Sequence, residues 1–197
     1  SRHQSPFLSY FHMYSPHEPY TPRKEFIDIF PDVKFPIKAP TKFSTLDIHN
    51  KSILESRKRY DEYVANVDFE IEKLVNALEE SGILKNTYLI LTADHGELFG
   101  RGEFGHVTRF LYDAVIHIPL IVIAPGQKAR RDIYHPTSNI DLVPTILHLA
   151  GQRPSVKLAG EILPGFGGNQ ETRSLFSMEA KECSSFGALV NGATVSM

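Results

Sequence analysis

Tyr60, Tyr63, Val64, Val67, Ile71, Leu74, Val75 and Leu78 recur at steps of three and four, which puts all eight on one face of a helix. Arg59, Asp61, Glu62, Glu70, Glu72, Lys73, Glu79 and Glu80 fall on the other face. Gly82 is placed to cap the end, so the spacing predicts a helix from about Ser52 to Ser81. Its tyrosine and leucine stripe reads as core. Two β-prone runs follow: Thr87-Tyr88-Leu89-Ile90-Leu91-Thr92, and Ile118-Pro119-Leu120-Ile121-Val122-Ile123 closed by Ala124-Pro125-Gly126. A shorter helix is predicted over Asp141 to Ala150, with Asp141 as N-cap, Pro144 in the first turn and Gly151 as the stop.

The aromatic-rich run Pro6 to Tyr14 has the length and composition of a buried strand. It ends in Ser15-Pro16-His17-Glu18-Pro19-Tyr20-Thr21-Pro22, where three prolines stop both helix and sheet. Residues 31–50 read as an irregular loop and 152–175 as loop-like, and Phe186 to Val190 is one more strand candidate. Strand, long helix, strand, strand, helix predicts an α/β fold, a parallel sheet with helices packed on it. In such folds sites lie at the C-terminal ends of the strands. Both His17 and Asp94-His95 follow predicted strand ends.

The chain has 197 residues, enough for one sizeable core, and 42% are hydrophobic and 22% charged. A formal net charge of −2 gives no ground for a nucleic-acid or anionic-membrane partner. No apolar run reaches transmembrane length. The one cysteine, Cys183, has no activating motif around it and reads as incidental. Asn50-Lys51-Ser52 fits a glycosylation acceptor, a triplet common by chance.

Three constellations carry candidate chemistry. Thr92-Ala93-Asp94-His95-Gly96-Glu97 delivers a carboxylate and an imidazole side by side at a strand end, both good ligands for a divalent cation once Gly96 lets the backbone turn. The same residues also fit a capped turn with Asp94 on backbone amides and His95 solvated. His17, stiffened by prolines on both sides, can donate to an oxyanion or protonate a leaving oxygen, or serve as a plain loop histidine. His106 lies in a loop with Gly100, Gly102 and Gly105 that can fold back over the strand end carrying Asp94 and meet an anion. Arg101 and Arg109 suit either anion neutralisation or the surface. His12, His117, His135 and His148 are taken as structural.

Taken in order, Asp68, Leu74, Leu78, Gly82, Asn86-Thr87, Thr92-Ala93-Asp94-His95-Gly96-Glu97, Gly105-His106, Leu111-Tyr112-Asp113, Ile118-Pro119-Leu120-Ile121-Val122 and Pro125-Gly126 closely resemble the sulfatases of the alkaline phosphatase superfamily. Ser138-Asn139-Ile140-Asp141-Leu142-Val143-Pro144-Thr145-Ile146-Leu147 resembles that family's next helix, and Ser15-Pro16-His17-Glu18-Pro19-Tyr20 its His-x-Pro loop. The match runs from about residue 6 to 165. It implies a three-layer α/β/α, alkaline-phosphatase-like fold with a mainly parallel sheet, here incomplete at the N-terminus. Residues 1–165 would be the C-terminal portion of the catalytic domain, and 166–197 the start of a small C-terminal subdomain, cut short.

The resemblance further implies a metal-dependent sulfuric ester hydrolase. Asp94 and His95 would be two ligands of a divalent cation, often calcium in sulfatases, with magnesium, manganese or zinc as alternatives. His17 would contact the transferred group and help protonate the leaving oxygen. His106 falls where the family places a sulfate-binding lysine or histidine, and Glu97 follows the metal pair in many relatives without an assigned role. Family members also carry an N-terminal aspartate pair and Cys-x-Pro-x-Arg or Ser-x-Pro-x-Arg, whose first residue becomes the formylglycine nucleophile. No such motif occurs in this sequence. Truncation before Ser1 is therefore expected, with no nucleophile in this chain and no turnover by it alone. The expected partner is a sulfate ester, or a phosphate ester, of a small molecule or glycan. By resemblance the compartment is exported, periplasmic or lysosomal. Two alternatives stand beside this: a phosphoryl-transfer enzyme of the same superfamily, which the Asp-His pair suits (a phosphonate or phosphodiester hydrolase or a glycerol-phosphate transferase), and a non-catalytic relative that retains the fold.

Overall fold

Residues 51–80 contain neither glycine nor proline. In the computed structural model they form one unbroken helix, α1 (Lys51–Glu80), within a residue of the predicted bounds. Gly82 ends it at φ 75°, a backbone state that favours glycine, and its N–H bonds to Glu79 O at 2.9 Å. The structure describes residues 6–30, 51–101, 103–107, 111–168 and 173–177. The loop predicted at 31–50, the strand predicted at Phe186–Val190, Cys183 and Arg109 lie outside these. Two compact units divide the chain: Tyr10–Thr108 with Tyr112–Gln127, and Ser1–Ser9, Arg109–Leu111 and Lys128–Met197.

In the first unit, α1 buries a different set of residues from the apolar stripe. Its buried positions are Ile53, Glu62 and Asn66, while Val64 and Leu74 remain exposed. Glu62, expected on the solvent face, is fully buried. The cause is an irregular partner. Residues 23–28 lie along α1 with a single short 3-10 turn (Lys24–Phe26), so their backbone donors lack ladder partners. Glu62 Oε1 accepts the Asp28 N–H at 2.6 Å, and Asn66 Oδ1 accepts the Arg23 N–H at 3.0 Å. Arg59 balances the buried carboxylate at 2.7 Å.

After α1 come β1 (Leu89–Thr92), a short hairpin of β2 (Phe99–Gly100) and β3 (Glu103–Phe104), α2 (Asp113–Ile116) and β4 (Leu120–Ile123). β1 pairs with β4 in register Leu89↔Ile123 to Thr92↔Leu120. Both ladders among the described residues are antiparallel, which corrects the expected mainly parallel sheet at these strands. A parallel pair needs a crossover of a dozen or more residues, usually a helix. Among the described residues between β1 and β4 the one helix is the four-residue α2, too short to serve as such a crossover.

The strand predicted at Pro6–Tyr14 is also not formed. The segment joins no ladder among the described residues, and Leu8, Tyr10 and Phe11 are exposed. Aromatic content reports a preference for burial, but a strand exists only where another backbone supplies its hydrogen bonds.

In the second unit the predicted helix appears as a 3-10 turn (Asn139–Asp141) running into α3 (Leu142–Leu149), with Gly151 at φ 67° after its end. Asp141 is not the side-chain N-cap expected of it. It is fully buried, and its carboxylate accepts the N–H of Ser138 at 2.8 Å and of Glu161 at 2.9 Å, and pairs with Arg173. One carboxylate thus ties three segments together.

Candidate active site

β1 ends at Thr92, whose hydroxyl bonds to Pro119 O across the ladder at 2.8 Å. The chain then leaves the sheet as Ala93-Asp94-His95-Gly96-Glu97. Gly96 keeps this loop pressed on α2. Its N–H donates to Val115 O at 2.7 Å, and a Cβ there would sit 2.2 Å from Ala114 O. The glycine is therefore required for close backbone approach.

The loop presents its side chains in opposite directions. Asp94 is exposed, its side chain 74% accessible, and accepts the His95 N–H at 3.0 Å. Glu97 turns inward, with its side chain 6% accessible. Gly105, at φ 85°, donates its N–H to Leu98 O at 2.8 Å and brings His106 back over the loop. The His106 ring stacks on His95 with centroids 4.1 Å apart and planes 22° apart. His17 meets the same ring edge-on at 5.1 Å. Three imidazoles from two distant stretches of sequence thus form one cluster, which the folded-back glycine loop predicted for His106.

Each imidazole has its Nδ1 engaged by an oxygen: His17 with Glu18 O at 2.7 Å, His95 with Gly96 O at 2.9 Å, His106 with Glu97 Oε1 at 3.2 Å. Carbonyl and carboxylate oxygens accept, so Nδ1 carries a proton in all three and Nε2 bears the lone pair when the ring is neutral. His95 Nε2 lies 3.8 Å from Asp94 Oδ2. With metal–ligand bonds of about 2.0–2.6 Å, two donors at that separation fit one divalent cation. A backbone carbonyl on Nδ1 is the usual way a metal-binding imidazole is held. Among the described residues no group of three or more His, Cys, Asp or Glu side chains is arranged to hold an ion.

Tyr20 and Tyr60 complete the inner wall. The Tyr20 hydroxyl donates to Glu97 Oε2 at 3.0 Å, and its ring packs edge-on against Tyr60 at 5.5 Å. Burial, followed by the Glu97 charge, pushes the Tyr20 phenol far above its usual range, so it acts as a fixed donor. Tyr60 is raised by the same two causes. Glu97 also lines a cleft of about 300 Å³ with Tyr60, Asp61 and Phe99, and there burial raises the Asp61 carboxyl against the opposing charge of Arg57. Arg101, a candidate anion ligand in the sequence, instead stacks its guanidinium on Tyr112 at 4.4 Å. His12 bonds to the Tyr10 hydroxyl on an exposed stretch. Sequence reasoning quoted Tyr20 and Glu97 within motifs but gave neither a role. Only adjacency to His17 and His95 marked them.

The family model described as Sulfatase matches residues 1–152. The chain belongs to the Sulfatase family. Curated sulfatases resemble it at modest identity. The uncharacterized sulfatase YidJ of Escherichia coli is 31% identical over 84% of this chain and 35% of its own length. N-acetylglucosamine-6-sulfatase of Bos taurus is 32% identical over 74% of this chain and 29% of its own. Among solved structures, the phosphonate monoester hydrolase SpPMH of Silicibacter pomeroyi aligns over 75% of this chain and 34% of its own, at TM-score 0.65 and 28% identity. The chain spans about a third of the length of these relatives. In this sulfatase-family chain Asp94, His95, Glu97, His17 and His106 all fall within the matched residues.

Proposed function

We propose that this chain contributes the metal-ligand pair and the anion-binding histidines of a divalent-metal-dependent sulfuric ester hydrolase acting on a sulfated small molecule or glycan. The observation that supports it most is the packing of His17, His95 and His106 into one cluster, with His95 Nε2 facing Asp94. Asp94 and His95 hold the cation, with calcium as the expected ion. Bound there, it draws charge from the ester's non-bridging oxygens.

The remaining roles belong to side chains of this chain. His106 meets the anionic group. His17, with Nδ1–H held by Glu18 O, carries the mobile proton at Nε2 and delivers it to the departing alcohol oxygen. Such a transfer is worth about 10²–10⁴-fold. No residue here is assigned as nucleophile, because neither Cys-x-Pro-x-Arg nor Ser-x-Pro-x-Arg occurs in the sequence.

A second reading, phosphoryl transfer, is favoured by the Asp94-His95 pair and by the likeness to a phosphonate monoester hydrolase. The deciding experiment assays the full-length protein with calcium on an aryl sulfate, an aryl phosphonate monoester and a phosphodiester. Preference for the sulfate, lost on chelation and in Asp94→Asn, supports sulfatase action. Preference for either phosphorus ester makes the second reading the correct one, and turnover of none of them sinks both.

A further inference from the structure

We infer that Glu97 is a positioning residue for His106, itself held by Tyr20: with Nδ1–H on the carboxylate, the protonated ring directs its Nε2–H at the substrate anion; this rests on the proposed anion-binding role of His106. Glu97 is nearly inaccessible, and a buried carboxylate is tolerated only with donors on its oxygens. It has two. The Tyr20 hydroxyl reaches Oε2 at 3.0 Å, and His106 Nδ1 reaches Oε1 at 3.2 Å. They come from the segment that carries His17 and from the loop beyond the hairpin, so the carboxylate sits where both candidate anion ligands are anchored.

Two further contacts hold the plane of the His106 ring and leave its Nε2 edge open. One face stacks on His95, with planes 22° apart. His17 approaches edge to face at 64°. With Nδ1 pinned by Glu97 and the ring plane fixed by the stack, a flip about the Cβ–Cγ bond would break the Glu97 contact and point the wrong nitrogen outward. Gly105 supplies the backbone half of the arrangement through its φ of 85°. Glu97 also stands two residues past His95, so a direct part in metal binding is the rival role. The rival predicts loss of metal affinity, and positioning does not.

The test uses the full-length protein loaded with calcium. Imidazole nitrogen chemical shifts report whether His106 Nδ1 carries a proton, as expected in the native protein. In Glu97→Ala part of the population loses the proton on Nδ1 and the ring is free to turn, and kcat/KM falls about 10–100-fold, mainly through KM, with calcium affinity unchanged. Glu97→Gln, which keeps an acceptor oxygen, recovers part of the loss. Tyr20→Phe shifts both readouts the same way by less. A native ring with no proton on Nδ1 overturns the inference without any variant. So does a Glu97→Ala protein with native shifts and KM, or one whose defect is loss of calcium. A native protein with a proton on His106 Nδ1 but no turnover of sulfate or phosphorus esters would refute the functional reading and leave the positioning geometry standing.

Discussion

His106 lies on His95 as a stacked ring, centroids 4.1 Å apart, although the two belong to different arms of one glycine-rich loop. A candidate metal ligand and a candidate anion ligand therefore share a surface. Their removal should nonetheless separate cleanly. His95→Ala is expected to abolish calcium binding measured by calorimetry. His106→Ala should leave that affinity within about tenfold while raising KM and lowering kcat/KM by about 10²–10³-fold, the order expected for losing one anion-stabilising donor. Equal loss of metal in both variants would refute the division of roles.

Gly96→Ala should destabilise the protein. The new methyl would stand 2.2 Å from the Ala114 carbonyl oxygen, and the contact is backbone against backbone, with no flexible side chain to give way. Overpacking of this kind costs about 1–3 kcal/mol. Thermal unfolding should register a drop of several degrees, with Asp94 and His95 displaced together and calcium affinity reduced.

Replacing Glu62 by leucine conserves bulk on α1 but strands the Asp28 N–H, now bonded at 2.6 Å, and Arg59. A loss of about 1–3 kcal/mol is expected in denaturant titration. Val64→Ala, at an exposed position of the predicted apolar stripe, should cost less. The reverse order would restore the stripe as the core face.

Alkaline pH should destabilise the first unit. Tyr20 and Tyr60 both titrate above the ordinary tyrosine value in the folded state. Between the unfolded and folded values the native state binds more protons, so the stability these groups contribute is complete below about pH 10 and is lost as pH rises beyond it. Tyr20→Phe should flatten that part of the stability curve, followed by tyrosinate absorbance and far-UV dichroism together. An unchanged slope would mean that Tyr20 is not shifted.

The elements whose cause is local were legible in the amino-acid order. α1 follows from uninterrupted helix formers and Gly82, β1 and β4 from their apolar runs, and the return of His106 from the glycines around it. These depend on backbone preference and periodicity, which a sequence carries in itself. What depended on which segment lies against which was not legible. Pro6–Tyr14 has strand composition but no ladder among the described residues, β1 and β4 run antiparallel, and Glu62 is buried because an irregular segment brought an N–H to it. In the site, sequence alone marked Asp94, His95, His17 and His106 as chemically able. Tertiary contact decided that Glu97 and Tyr20 stand behind them, because a buried carboxylate takes its role from the donors that the fold brings within hydrogen-bond reach.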